Sequence, residues 1–274
     1  VSGSVGAAWK NFTLIEGDVA DLSVARHAMQ GVEIVLHQAA LGSVKRSVEA
    51  PLPSHQSNVT GTLTLLCAAR DAGVKRIVYA SSSSVYGDSA ASPKAEGDEG
   101  GVLSPYAATK VFCETYAQLF ARLYGMETIG LRYFNVFGPR QNPDGEYAAV
   151  IPRWIAQALA GVPCEVYGDG KTSRDFCYID NVVEANLRAA AAILPQYGVA
   201  LNVALGDETT LLELHEQIAA LTGTKAALVF KDFRVGDVRH SRANIAKAQA
   251  LIGYRPGVKV SEGLRRTVEA MRVS

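Results

Sequence analysis

Short runs rich in β-branched and aromatic residues alternate along this chain with longer runs whose apolar positions recur at helical spacing, and few folds accommodate that alternation. Strands joined through crossover helices pair in parallel and are covered on both faces. The strand candidates are Phe12 to Ile15, Ile34 to Gln38, Arg76 to Ser81 and Thr128 to Phe134. Between them, Leu22 to Met29, Asn58 to Ala72 and Tyr106 to Tyr124 carry helical periodicity. Gly73 and Gly125 stand just past the last two, where a left-handed C-cap belongs. From about Pro139 the texture changes. Pro-Arg-Gln-Asn-Pro-Asp-Gly reads as a loop, followed by a helix over Val150 to Ala160, short strands near Cys164 to Tyr167 and Asp175 to Tyr178, and a C-terminal α/β lobe.

Composition removes several classes of function. A chain of 274 residues, 48% of them hydrophobic, buries a full core. Its 27 basic and 27 acidic residues cancel, leaving no field to hold nucleic-acid phosphates or a membrane surface. No apolar run approaches the roughly 20 residues of a membrane span. The opening Val1-Ser2-Gly3-Ser4 has no signal-peptide character, so the cytoplasm is the expected location. Cys67, Cys113, Cys164 and Cys177 form no CxxC pair, and the five histidines never fall at i, i+4, so no metal and no disulfide framework is expected.

A doubly wound sheet that binds a dinucleotide opens with a strand, a Gly-rich turn, a helix and an acidic residue at the ribose. Here Gly3 and Gly6 follow no strand, and no GxxGxxG or GxGxxG precedes the expected third strand. The expectation is therefore an α/β chain with a Rossmann-type doubly wound parallel sheet lacking its first strand–helix–strand unit, as in a fragment or a misplaced start. A smaller C-terminal α/β lobe completes it. Residues 1–138, with parts of 150–205, form the cofactor domain, and 139–274 form most of the substrate lobe.

The chemistry centres on Ser82 and on Tyr106-Ala-Ala-Thr-Lys110. The YxxxK spacing sets phenol and ammonium on one side of a helix, one turn apart. A phenol with pKa near 10 needs an adjacent cation to act as a base at neutral pH, and Lys110 can supply it. Ser82, ending the strand from Arg76, can share the proton. An i, i+4 surface pair is the alternative for an isolated YxxxK. Its setting here, after Val85-Tyr86-Gly87 and behind the cap Ser104-Pro105, favours catalysis.

Tyr79-Ala-Ser-Ser-Ser-Ser-Val-Tyr-Gly-Asp88 with Ser104-Pro-Tyr-Ala-Ala-Thr-Lys110 resembles the extended short-chain dehydrogenases that act on nucleotide sugars. The resemblance continues through His37-Gln-Ala-Ala40, Asn58-Val-Thr-Gly-Thr62, Arg132-Tyr-Phe-Asn-Val-Phe-Gly138, Ser173-Arg-Asp-Phe-Cys-Tyr-Ile-Asp180 and Arg234-Val-Gly-Asp-Val-Arg-His-Ser241. Together these are most similar to bacterial UDP-N-acetylglucosamine 4-epimerases. Dehydratases and decarboxylases of the superfamily carry carboxylates between the serine and Val-Tyr-Gly, where this chain has Ser83 and Ser84.

The resemblance implies bound NAD, with Tyr106, Ser82 and Lys110 catalytic, a 4-keto intermediate, and inversion at carbon 4. It sets Asp18 and Val19 against adenine, Ala39, Ala40 and Asn58 along the cofactor, and Tyr133 near the nicotinamide; strand-end caps and core filling are the alternatives. Arg174, Arg234 and Asn135 match the pyrophosphate ligands, Asp237 the uridine ribose, and Val150 and Tyr167 the uracil flanks. Surface ion pairs are the alternative for the arginines. Gly42, Ser43, Ser83, Ser84 and Ser241 match small residues around an acetamido group, although each serine also suits a turn. A homodimer through a four-helix bundle is implied, with Leu63, Leu66, Phe112, Tyr116 and Phe120 serving either there or in the core. The competing functions are 4-epimerisation of UDP-glucose or UDP-glucuronate, and a catalytically impaired nucleotide-sugar-binding fragment.

Overall fold

A computed structural model describes residues 10–144, 148–224, 226–233 and 239–273. Its first half runs α1 (Leu22–Ala28), β1 (Ile34–His37), α2 (Val44–Glu49), α3 (Pro51–His55), a π-helical turn (Gln56–Thr60), α4 (Gly61–Ala72), β2 (Arg76–Ser82), a 3-10 turn (Ser83–Tyr86), α5 (Pro105–Tyr124), β3 (Glu127–Tyr133) and β4 (Val136–Phe137). The second half runs α6 (Val150–Leu159), β5 (Cys164–Tyr167), β6 (Ser173–Arg174), β7 (Cys177–Tyr178), α7 (Ile179–Ala191), β8 (Val199–Val203), β9 (Thr209–Thr210), α8 (Leu211–Thr222), β10 (Leu228–Lys231), β11 (His240–Ser241), α9 (Ala246–Ile252) and α10 (Val260–Val273).

Four strands make one parallel sheet in the order β1-β2-β3-β8. Alternation along β2 explains its two coats. Ile77 and Tyr79 face Leu65 and Leu66 of α4 and Cys113, Ala117 and Phe120 of α5. Val78, with Ile129 and Leu131 of β3, faces Val182, Ala185 and Ala189 of α7. A sheet covered on both sides needs apolar residues at successive positions, and Ile77-Val78-Tyr79 supplies them. The second lobe has its own core of Trp154, Ile155, Val166, Leu214, Ile218 and Leu264. There β5 pairs in parallel with β10, and β6 lies between β11 and β9.

The helix ends follow from local chemistry. Asp21 accepts the N–H groups of Ser23 and Val24 at the start of α1, and Ser104 accepts that of Ala107 at the start of α5. Gly73 and Gly125 adopt φ of 72° and 67° at the C-caps, as their positions in the sequence predict. Among the described residues no helix is long and apolar enough to cross a membrane.

Three expectations are corrected. Residues 12–15 are irregular rather than strand: a strand exists through its ladder, and the sheet edge on that side is β1, bonded to β2. The expected strand Asp175 to Tyr178 is broken, with β6 and β7 in different sheets. The cause is Asp175, whose buried carboxylate accepts the N–H groups of Leu205, Gly206 and Ala243 and bends the chain. Asn58 lies inside the π-helical turn that links α3 to α4, not at a helix start. Leu66 and Phe120 belong to the core, whereas Phe112 is half exposed.

Gly130 sits opposite Tyr79 in the β2–β3 register, and a β-carbon there would lie 2.6 Å from the Tyr79 ring. Gly130→Ala is expected to displace that buried ring and cost about 1–3 kcal/mol, read as a lower urea midpoint at unchanged m-value.

Candidate active site

The first turn of α5 is built to hold a phenol at the C-terminal edge of the sheet. Ser104 caps it and Pro105 occupies N1, where no amide hydrogen is needed. Tyr106 follows, and its N–H donates to Ser47 Oγ at 2.9 Å, which docks α2 against the start of α5. Lys110 lies one turn on, its Nζ 5.9 Å from the centre of the Tyr106 ring. That ammonium donates to the Ala80 carbonyl at 2.8 Å, leaving two N–H donors for a ligand among the described residues. Ser82 ends β2, where its hydroxyl accepts the Ser84 N–H and acts on the Tyr106 phenol. Burial pushes the Tyr106 phenol up, and the Ser82 bond pulls it back down. Burial pulls the Lys110 ammonium down, against the charge of Glu114.

Behind Ser82 the chain turns through Ser83 and Ser84. Ser84 Oγ is buried and has no partner among the described residues, an orphan that calls for a ligand group. Gly87 of Val-Tyr-Gly has φ of 51°, and a β-carbon there would meet the Gly101 carbonyl oxygen at 1.9 Å. Only glycine lets residues 88–101 close so tightly behind the site.

The loop after β1 forms the facing wall. Asn58 is buried and uses its amide on Leu41 N–H (2.7 Å), Leu41 C=O (3.1 Å) and Thr109 Oγ1 (3.0 Å). It thus clamps the loop carrying Ala39, Ala40 and Gly42 to α5. Ser43, at φ of 102°, caps α2 by accepting the Arg46 N–H; such strain in a non-glycine residue gathers at functional loops. Asp18 closes a local turn by accepting the Ala20 N–H, and Val19 packs against the α4 core. Tyr133 points to the other side of the sheet, where its hydroxyl meets Gln38 and Asn186 of α7.

A second cavity of about 170 Å³ joins residues far apart in sequence: Asn135, Val150, Tyr167 and Arg174 all line it. Asn135 adopts a left-handed conformation and donates to the Asp175 carbonyl. Arg174 pairs in register with Ser241, which brings the small residue beside the cavity. Arg153, Glu165 and Thr172 also line it and escaped the sequence reading. The signal was present for Arg153, one helical turn after Val150, and its Nε is buried without a partner. Arg234 and Asp237 lie outside the described residues. A larger hollow of about 700 Å³ lies at the far end of α5, among Gln118, Arg122 and Tyr197. It holds none of the residues that carry chemistry, so volume alone does not locate the site.

Beneath Tyr106 and Lys110 lies a buried polar floor. His37 Nε2 and Thr62 Oγ1 are 3.0 Å apart, and Cys113 Sγ donates to the same oxygen. Burial, then the Lys110 charge, pulls His37 down to about 4, so it is neutral near pH 7. Arg132 and Glu114 form a two-pronged ion pair at 2.8 and 2.9 Å, both nearly inaccessible to solvent.

Comparison with known proteins gives a consistent result. The model of the NAD dependent epimerase/dehydratase family matches residues 2–204. The chain is 38% identical to a UDP-glucose 4-epimerase of Mycolicibacterium smegmatis, over 95% of this chain and 83% of that protein. Among solved structures, a UDP-N-acetylglucosamine 4-epimerase from Methanobrevibacter ruminantium, in complex with UDP-N-acetylmuramic acid, superposes with a TM-score of 0.91 at 38% identity. That match covers 96% of this chain and 84% of the other. A UDP-glucuronic acid 4-epimerase from Bacillus cereus, in complex with UDP-glucuronic acid and NAD, gives 0.90 at 27% identity, covering 99% and 85%.

The buried His37 has a stability signature. Its pKa in the folded chain lies near 4 against 6.5 unfolded, so between those values the unfolded chain binds more protons and stability falls as pH falls. A difference of that size corresponds to about 3 kcal/mol. Asp175 works in the opposite sense, since burial raises it to about 6, so comparison with a variant is needed. Relative to His37→Gln, the wild type should lose about 3 kcal/mol of stability between pH 6.5 and 4, measured by urea unfolding at each pH.

Proposed function

The chain belongs to the NAD dependent epimerase/dehydratase family and is an NAD-dependent UDP-sugar 4-epimerase; from that premise we propose that its substrates are UDP-N-acetylglucosamine and UDP-N-acetylgalactosamine. The observation that carries the choice of sugar is the ladder pair of Ser241 with Arg174. It leaves a small side chain next to the phosphate-binding candidate, where a bulky one would crowd an acetamido group. Gly42 and Ser43 on the loop opposite, with Ser83 and Ser84, extend the same small, polar lining.

The residues fit a nicotinamide cofactor. Lys110 has two donors to spare beside Tyr106, and Ser84 Oγ is an unmatched buried hydroxyl. Asn58 acts on that site through the loop it clamps, and Lys110 would hold the ribose. Bound NAD supplies a hydride acceptor and donor and a positive ring near the phenol. Tyr106, helped by Ser82, takes the proton from the 4-hydroxyl, and Lys110 stabilises the phenolate. The same phenol returns the proton once the 4-keto sugar has turned its other face. Ser83 and Ser84 offer no carboxylate to expel water or carbon dioxide, which favours reversible oxidation and reduction alone. Arg174 and Asn135 are proposed for the pyrophosphate, together with Arg234, and Asp237 for the ribose; Val150 and Tyr167 would enclose the uracil. Arginine suits this task because its planar fork matches phosphate oxygens.

A homodimer belongs to the same proposal. Phe112 and Leu123 expose 50% and 62% of their surface on α5, an apolar stripe available to a partner helix.

Proton NMR of the anomeric region during incubation with UDP-N-acetylglucosamine and NAD should reveal the galacto epimer. Tyr106→Phe should cut kcat by about 10²–10⁴-fold. Ser241→Tyr should lower turnover of the acetamido sugar by about 10–200-fold relative to UDP-glucose. Equal loss on both sugars would refute the role given to Ser241, and turnover of UDP-glucose or UDP-glucuronate alone would overturn the choice of substrate.

A further inference from the structure

Glu114 lies one turn beyond Lys110 on α5, so residues 106, 110 and 114 form one continuous stripe. Its carboxylate is buried and fully engaged. Oε1 accepts Arg132 Nε at 2.9 Å and Ser81 Oγ at 2.5 Å, while Oε2 accepts Arg132 Nη2 at 2.8 Å. Ser81 and Arg132 are opposite each other in the β2–β3 register. One carboxylate therefore joins α5 to both strands at the step before Ser82. Arg132 continues outward to the Tyr86 hydroxyl at 3.0 Å and to Glu99, which ties the loop after Val-Tyr-Gly to the same point. Glu114, Arg132 and Lys110 are buried, while Glu99 meets Arg132 from an exposed loop.

We propose that Glu114 is a positioning residue for the 4-epimerase reaction: its carboxylate braces the Ser81–Ser82 end of β2 against α5 and is the counter-charge that Lys110 works against. The proposal rests on the functional reading above. A purely structural ion pair would hold the strands together without reaching Lys110, but Glu114 stands one helical turn from Lys110 on the same face of α5 and both are buried, so little solvent screens its charge from that ammonium. Lys110 is also faced by His37 from β1, which is neutral, and by Cys113 and Tyr106 from its own helix. Glu114 itself faces Arg132 from β3 and Tyr79 from β2.

The test is Glu114→Gln, which keeps size and most hydrogen bonds while removing the charge. In protein labelled with ¹³Cε-lysine, the Lys110 signal, assigned by its loss in Lys110→Arg, should titrate about one pH unit lower than in the wild type. Epimerase kcat should drop about 10–100-fold at little change in KM, and the whole pH–rate profile should move to lower pH. Glu114→Asp should recover part of both effects. An unmoved Lys110 titration, or a loss of kcat with an unmoved pH profile, would reduce Glu114 to a structural partner of Arg132 and overturn the proposal. If Glu114→Gln alone fails to fold, Glu114→Asp, which keeps the charge but draws it back by one methylene, replaces it: a lowered Lys110 titration with a reduced kcat supports the proposal, and wild-type values of both overturn it. The titration is read on the protein alone, so wild-type chain that turns over no UDP-sugar would sink the assigned reaction while the role of Glu114 toward Lys110 is still judged.

Discussion

Arg132 and Glu114 pair in the space between the sheet and α5, and the geometry above them depends on that contact. A charge brought out of water is tolerated only when it is paired and its remaining hydrogen-bond capacity is met. Here the requirement is satisfied by specific groups: Ser81 from β2, the Tyr86 hydroxyl from the turn behind it, and Glu99 from the following loop. Each comes from a different segment, so meeting the demands of one ion pair fixes the relative positions of all of them. The Tyr86 hydroxyl passes the constraint on to Asn202 of β8.

On this foundation the two halves of the site are assembled by different means. The catalytic half is a matter of short range: one helix start carrying Tyr106 and Lys110, and one strand end carrying Ser82. The nucleotide half is assembled at long range. Asn135, Val150, Tyr167 and Arg174 come from four segments that meet around one cavity. Asp175 holds that assembly, its carboxylate accepting three backbone N–H groups while its carbonyl receives Asn135. Burial raises this carboxyl to about 6, the energetic cost of a polar hub in an apolar lobe.

Much of this was legible beforehand, and the reasons differ by residue. Tyr106, Lys110 and the Ser104 cap are separated by fewer than two helical turns, so their relation follows from helix geometry alone. The strands β2 and β3 announced themselves because burial on both faces demands uninterrupted apolar runs, and β1 carries such a run although Ile34 and Leu36 are exposed at the sheet edge. Residues 12–15 carry the same composition, yet a strand is a relation between segments, and the ladder it needs is not encoded in the run itself. Glu114 and Arg153 looked like ordinary charged positions on helices. Nothing local distinguishes Glu114, buried beside Arg132, from Glu184, whose partner Arg188 lies one turn on along the solvent face of α7.

From the sequence alone came the parallel α/β architecture, the helix carrying phenol and ammonium, the serine at the end of its strand, and the family those motifs resemble. Such features depend on periodicity and on spacings of a few residues, which bond lengths and helical rise convert directly into distance. The tertiary structure alone decided that Asn58 spends its amide on Leu41 and Thr109, that Tyr133 faces α7, that Ser241 stands beside Arg174, and that Glu114 reaches Arg132. Those relations span from 17 to 67 residues of chain or turn on which side of the sheet a residue faces. Only the packing of every other element selects them, because desolvation and hydrogen-bond satisfaction are settled for the whole interior at once.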